Sequence, residues 1–400
     1  MRSKRDNKKK IISNKRKKML VMRRAEDEYI TIAARVELSE NEIDRLRNIP
    51  VQIKDWDIVF NKAVMHGVSG ILYYAVKKYG LEGVLPEGIF ERLRIKFYET
   101  ALRNTYAERT VNEIGEVCGE KIVLLKGAYL FKYLYPASGM RFLSDVDVFA
   151  SKERAVEVMD KLLKSGYRRV RNAKSRLHDR LSDEHHHLPQ IHNKNFKVEI
   201  HRNLFGGDKF EDVAAEAFET AERLEGNLYA LTPEMNVVHF CCHFIHHINK
   251  GSDLKMLCDI NEVVRKFNSE FSWEKVESVS DRLKSVYDIT VPLTYARMLL
   301  ETPVHERLLN ERIMESEDLG LDDIMRDEGV ENTESVSLRR DLRKFGKVHE
   351  KLIFLFRHFV PRCGYVNYVF GIYDDRFRVS LYWRYYKRVV RARRAVRSER

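Results

Sequence analysis

Asp145 and Asp147 stand one residue apart in the apolar run Arg141-Phe142-Leu143-Ser144-Asp145-Val146-Asp147-Val148-Phe149. The β-branched and aromatic neighbours predict a strand. Residues i and i+2 of a strand share a face, so the two carboxylates project together and Val146 and Val148 point the other way. Paired like charges repel unless a cation lies between them. A hard, oxygen-seeking divalent ion such as Mg²⁺ meets that need. A strand end whose aspartates merely face water is the other reading, and a lone D-x-D does not separate the two.

The flanking segments favour the cation. Upstream, Lys121-Ile122-Val123-Leu124-Leu125-Lys126-Gly127-Ala128-Tyr129-Leu130 is a short apolar strand that breaks at a glycine and enters a helical pattern. Glycine at such a turn admits a ligand close to the backbone, and the helix N-terminus offers free N–H groups to an anion. Lys126 adds positive charge. Downstream, Phe196-Lys197-Val198-Glu199-Ile200-His201 alternates as a strand, with Glu199 on the face of Lys197 and His201.

A glycine turn, a D-x-D pair and a third acid on a neighbouring strand together resemble the nucleotidyltransferase fold of the DNA polymerase β superfamily. In particular, the chain resembles an uncharacterised bacterial and archaeal branch carrying L-K-G, R-x-x-S-D-h-D and V-E-h-H motifs, where h is apolar. The likeness runs from about residue 50 to the tyrosine-rich C-terminal region. It implies an α+β fold, a small mixed β-sheet embedded between N-terminal and C-terminal helical regions. It implies transfer of NMP from a nucleoside triphosphate to an acceptor hydroxyl. Asp145, Asp147 and Glu199 would hold two Mg²⁺ ions, roughly 3.5–4 Å apart in such sites. One ion would grip the triphosphate. The other would lower the pKa of the acceptor hydroxyl, with Glu199 completing its shell and taking the proton.

Lys126, Gly127, Ala128, Arg141 and Ser144 are the expected nucleotide contacts. One departure stands out: the superfamily's usual Gly-Ser is here Lys126-Gly127-Ala128, so no serine hydroxyl is available to hold a phosphate, and Lys126 is the candidate substitute. The same family places an H-L-P stretch before the third acid, a histidine in a later helix and an aspartate after the next apolar run. Those positions make His187, His201, His243 and Asp259 further site candidates. Two other functions stay open: a catalytically inactive nucleotide- or nucleic-acid-binding protein on the same scaffold, and an adaptor driven by its basic ends.

The elements that must position these residues follow from pattern. A basic disordered tail (1–24), an N-terminal helical region (25–118), the nucleotidyltransferase core (119–226), a helical domain (227–312) and a charged linker with an aromatic, basic C-terminal region (313–400) are expected. Ser39-Glu40-Asn41-Glu42 reads as a capping box, and Pro86 opens a helix. Glu153 to Lys164 carries a stripe of Ala155, Val156, Met159, Leu162 and Leu163 that ends at Gly166. Thr232-Pro233 starts a helix in which His239, His243 and His246 share a face. That face reads as histidines packed over the nucleotide cleft, with zinc the other possibility; no Glu follows His239, so the H-E-x-x-H signature is absent. His66 reads as a structural histidine, with substrate contact the alternative. The His-rich stretch with His178, Asp183, Glu184, His185, His186, His187 and His192 reads as a surface loop, or as a lining of the site at His187-Leu188-Pro189. Consecutive histidines seldom ligate one ion.

Composition sets outer bounds. Four hundred residues with a 44% apolar share suffice for a packed interior. Five cysteines, an odd number with no C-x-x-C pair, fit a reduced, cytoplasmic chain. No apolar run nears the roughly 20 residues of a membrane span, and Met19-Leu20-Val21-Met22 is too short for a signal sequence. The net charge of +12 belongs to the ends: residues 1–24 hold twelve Lys/Arg against Asp6, and residues 376–400 hold ten against Glu399. Such ends suit RNA or an anionic surface. Interleaved aromatics and arginines around Tyr382-Trp383-Arg384-Tyr385-Tyr386-Lys387 suit, in order, packing on the core, single-stranded nucleic acid and a lipid surface.

Overall fold

The structure is a computed structural model that describes residues 24–170, 187–206, 208–247, 253–315, 324–325, 347–370 and 376–398. The expected basic tail, apart from Arg24, lies outside the described residues, as do His178, Asp183, Glu184, His185 and His186.

Helices α1 (Ala25–Ala33), α2 (Glu40–Asn48), α3 (Trp56–Met65), α4 (Ser69–Lys78) and α5 (Glu87–Cys118) precede the sheet. The capping box forms at α2, where Ser39 and Glu42 satisfy each other's backbone N–H groups. Pro86 sits one residue earlier than expected, as the N-cap of α5, and Gly119 ends that helix in the left-handed conformation. The next elements alternate: β1 (Ile122–Leu124), α6 (Lys126–Tyr133), β2 (Asp145–Phe149), α7 (Ala155–Lys164), β3 (Arg168–Arg169), β4 (Ile191–His192), β5 (Lys197–His201), α8 (Glu211–Glu219), β6 (Glu222–Glu225) and β7 (Leu228–Ala230). The strands form one mixed sheet in the order β3-β4-β5-β2-β1-β7-β6. Its last strand lies past residue 226, where the core was expected to end. Helices α9 (Pro233–His247), α10 (Asp253–Lys266), α11 (Trp273–Leu283) and α12 (Thr290–Leu300) follow. Thr232 Oγ1 accepts from the Met235 N–H and so opens α9.

The fold is α+β, a mixed sheet flanked by helices on both sides in the chain. Period decides which face of each element is buried. Val146 and Val148 of β2, Val198 and Ile200 of β5 and all of β1 are buried. In α7 the buried stripe is Ala155, Val158, Met159 and Leu162; Val156, expected inside, is exposed, because 100° per residue carries it off the face that Ala155 and Met159 define. One continuous apolar cluster runs from Tyr29 of α1 through the sheet to Leu300 of α12, so the helical regions and the sheet share a core.

The loop between α6 and β2 carries Arg141 and Ser144, and it is wedged between two helices. A Cβ on Gly70 of α4 would lie 2.1 Å from the Gly139 carbonyl oxygen, and one on Gly139 would lie 2.6 Å from that of Phe97 in α5. Backbone meets backbone here, and neither side can yield by rotating a side chain. Gly70→Ala is therefore expected to cost about 1–3 kcal/mol or more, as overpacking does. Thermal denaturation checks it: an unchanged melting temperature would mean that the loop is free to lift away.

Candidate active site

Parallel pairing of β2 with β5 sets Asp147 opposite Glu199 and Phe149 opposite His201. The three polar side chains Asp147, Glu199 and His201 offer ligand atoms that all lie within 4.8 Å of one another. Asp145 is not part of that grouping. It sits at the rim, partly exposed, where the Ser144 hydroxyl donates to its Oδ1 at 2.7 Å. The D-x-D pair is thus unequal: Asp147 is buried at the centre and Asp145 guards the entrance.

Lys126 completes the centre. Its Nζ lies 2.7 Å from Asp147 Oδ1. The residue adopts φ +45°, a left-handed conformation that costs a non-glycine residue about 1–3 kcal/mol. This turns the chain from β1 into α6 while the lysine side chain reaches back to β2. The special backbone expected of Gly127 therefore falls on Lys126. Gly127 serves by its small size instead: a Cβ there would come 3.2 Å from Leu143 Cγ, pressing on the loop before Asp145. Ala128 is buried in the same first turn of α6.

Burial and charge set the protonation states. For Asp147, burial works toward the neutral acid, but Lys126 and the hydrogen bond from His201 outweigh it and hold the carboxyl well below the usual range. Burial and the charge of Asp147 push Glu199 up to about 7. Burial and the repulsion of Asp147 also raise Asp145. Burial and Lys126 push His201 down to about 4, so its ring is neutral. Its Nε2 lies 2.8 Å from Asp147 Oδ1. An ionised carboxylate only accepts, so Nε2 carries the proton and donates. His201 thereby orients Asp147 in the manner of a buttress behind a metal ligand.

The remaining candidates lie around this centre in different ways. Arg141, expected to face the nucleotide, is tied to Asp259 of α10: Nε to Oδ1 at 2.9 Å and Nη2 to Oδ2 at 2.8 Å. Tyr135 donates to the same Asp259 Oδ1 at 2.9 Å. These two candidates are each other's partner, and their pairing locks the Arg141 loop onto the helical region. His187 pairs with His201 as an isolated β-bridge, with the two rings 5.6 Å apart in an edge contact. The H-L-P stretch thus lines the third-acid strand.

On α9, burial and then the charge of Lys126 hold His239 and His243 well below the usual imidazole range, so both are neutral. His243 stacks with His247 at 4.3 Å, whereas the His246 Nε2 meets the Tyr287 hydroxyl at 2.8 Å. His239 and His243 both feel the charges of Lys126 and Asp147, which sets these two toward the acids. His246, expected on the same face, meets Tyr287 in the loop after α11, and Phe205 contacts both His239 and Tyr287. His66 is fully buried at the C-cap of α3.

Three residues near the site escaped sequence reasoning. Gln190 donates to Glu199 Oε1. Arg103 of α5 donates from Nε to the Leu143 carbonyl at 2.6 Å and from Nη2 to that of Ser144 at 3.1 Å, steadying the entry to β2. Lys255 lies one turn before Asp259 on α10, packs its stem on Gly67 and interacts with Asp145; burial and Arg141 push it down to about 8. The i, i+4 spacing of Lys255 and Asp259 was a readable signal. Nothing in the linear sequence marks Gln190 or Arg103, because strand pairing and loop contacts bring them in.

A mixed sheet whose paired central strands present buried acids beside a lysine-bearing strand-to-helix turn defines a nucleotidyltransferase-type domain. Residues 53–301, more than half of the chain, match the family model described as an uncharacterised nucleotidyltransferase, and the chain belongs to that family. No curated protein and no solved structure matches it.

Proposed function

We propose that the protein is an Mg²⁺-dependent nucleotidyltransferase that moves NMP from a nucleoside triphosphate to an acceptor hydroxyl. The observation that carries this reading is the register that sets Asp147 beside Glu199, with Asp145 at the rim. Carboxylate oxygens are the donors that Mg²⁺ takes, so the acids fit the ion. Bound there by Asp145, Asp147 and Glu199, in one or two ions, it supplies charge neutralisation on the triphosphate and a more acidic acceptor hydroxyl. The acceptor oxygen attacks the α-phosphorus, the bond to pyrophosphate breaks, and Glu199 takes the hydroxyl proton. His201 holds Asp147 in orientation. Lys126, freed from Asp147, and Lys255 would neutralise the phosphates, with the backbone of Gly127 and Ala128 beside them. His187 and His243 wall the cleft and exclude water. Reduced cysteines, all five of them free, agree with a cytoplasmic setting for this chemistry.

The test is a labelling screen with each α-³²P-labelled nucleoside triphosphate, Mg²⁺, and total RNA, cell protein or a metabolite extract as acceptor. Asp145→Asn runs alongside. Label transferred by the wild-type chain and not by the variant is the expected result, and the labelled fraction names the acceptor class. Equal labelling by the variant would remove Asp145 from the mechanism.

Glu199 also sets a pH dependence. Below about 7 a cation must displace its proton, so Mg²⁺ affinity is expected to rise with pH up to that point and level off above it. Calorimetry in buffers of different ionisation enthalpy checks this, since proton release should accompany binding only on the acid side.

One observation favours a second reading. The Lys126 ammonium already neutralises Asp147 from 2.7 Å, as a cation would. In an inactive nucleotide-binding protein the lysine would stay there. Calorimetry on the wild-type chain separates the two: triphosphate binding that does not require Mg²⁺ favours the inactive reading, and Mg²⁺-dependent triphosphate binding favours the catalytic one.

A further inference from the structure

Among the described residues, the C-terminal elements carry an exposed apolar surface. They are α13 (Val348–Phe359), α14 (Cys363–Val369) and α15 (Val379–Ser398). Among the described residues, α14 and α15 pack through a small cluster of Val366, Leu381 and Tyr385 that is separate from the main core. Packing therefore explains one side of α15 only. On α13, Val348, Leu352, Phe356 and Phe359 recur at i, i+4, i+8 and i+11, which is a single stripe, and all four are exposed, while Phe354 on the opposite side is buried. The stripe continues across the joint with α15: the Tyr386 hydroxyl donates to the Phe359 carbonyl at 2.7 Å, and Trp383, one turn earlier, is 63% exposed.

Basic groups are interleaved with these side chains. The Arg357 guanidinium lies over the Phe356 ring at 5.6 Å, and the Lys387 ammonium lies over Trp383 at 4.9 Å. Arg384 and Arg388 are exposed beside them. Across residues 347–398 the sequence holds thirteen Lys/Arg against Glu350, Asp374 and Asp375. This combination selects among partners. A second copy would bring an equally cationic arm against the first. Nucleic acid would use the charge and stack on rings, but Val348 and Leu352 have no π-face to offer a base. An anionic bilayer uses both features: headgroups meet the arginines and lysines, and the acyl boundary takes the aliphatic and aromatic stripe. No helix among the described residues is long and apolar enough to cross a membrane, so contact would lie in the interface plane.

We propose that the α13–α15 face seats the protein on an anionic lipid surface. This stands apart from the catalytic reading and survives its failure. The full chain is sedimented with vesicles of phosphatidylcholine alone and of phosphatidylcholine mixed with phosphatidylglycerol. At least about tenfold stronger binding to the mixed vesicles is expected, falling as salt rises. Tryptophan emission should shift to the blue on binding, from Trp383, because Trp56 and Trp273 already pack on the core. Trp383→Phe should abolish the shift and keep the sedimentation. Leu352→Ser with Phe356→Ser, both at exposed positions, should weaken binding about tenfold or more, and Arg384→Glu with Lys387→Glu should do the same. Equal binding to neutral vesicles overturns the proposal, as does full binding by either double variant. Binding of RNA without binding of vesicles overturns it in favour of nucleic acid, and a dimer that the Leu352→Ser/Phe356→Ser variant dissolves, without vesicle binding, overturns it in favour of a second copy.

Discussion

Asp147→Asn is expected to lower nucleotidyl transfer about a thousandfold or more while the chain remains folded. A bound divalent ion supplies several kcal/mol of transition-state stabilisation, and each 1.36 kcal/mol is tenfold in rate. Under the proposed function Asp147 is the acid through which that stabilisation would pass: it is buried, faces Glu199 across the strand pair and is held by both Lys126 and His201. The carboxamide keeps the size of the carboxylate and can still accept from one of its two neighbours, so the sheet has no steric reason to open. Its charge is gone, and with it the attraction for a cation. Transfer of α-³²P label measures the rate, and circular dichroism reports the fold. Asp145→Asn should cost less, because Asp145 lies at the partly exposed rim where water can replace a lost ligand. The reverse order of the two variants would relocate the centre of the site toward Ser144.

Asp259→Ala is expected to produce the largest loss of stability, about 3–5 kcal/mol, the cost of leaving one member of a buried ion pair alone. Arg141 would keep its charge in the interior, and Tyr135 would lose its acceptor. The Arg141 main chain is also fixed: Asn104 Nδ2 donates to its carbonyl at 2.7 Å and to that of Ser138 at 2.6 Å. The loop cannot easily carry the unpaired guanidinium out to water. Replacing both partners, Arg141→Met with Asp259→Leu, should recover most of the loss, since a well-filled apolar pair often equals a buried salt bridge. Denaturant titration gives the stabilities. If the double variant regains stability and keeps transfer, the pair only holds the loop; if it regains stability and loses transfer, Arg141 also reaches the substrate.

Much of this site was legible because it is local. Alternation put Asp145 and Asp147 on one face and Glu199 on the face of His201. Lys126 stood out at the end of its apolar run, and the family resemblance marked Asp259. The capping box at Ser39 and Glu42 is a four-residue pattern and forms as written. Errors came where two elements meet. Val156 is expected in the α7 stripe although it lies about 100° from Ala155, and packing against the sheet leaves it outside. Arg141 reads as a nucleotide contact from its motif, yet Asp259, from a helix more than a hundred residues later, takes its guanidinium.

Residue order by itself determined most of the elements, the family and which side chains are candidates for the chemistry. Those follow from periods of 2 and 3.6 and from motifs that are each a few residues long. Tertiary structure decided the division of labour among them. It placed Asp147 inside and Asp145 at the rim, paired Arg141 with Asp259, turned Lys126 onto Asp147 and brought Gln190 to Glu199. Each of those outcomes depends on which strands pair and how closely a loop can pass Gly70. Such distances arise between segments tens or more than a hundred residues apart, where burial raises the value of every charge and leaves each to find its partner in space.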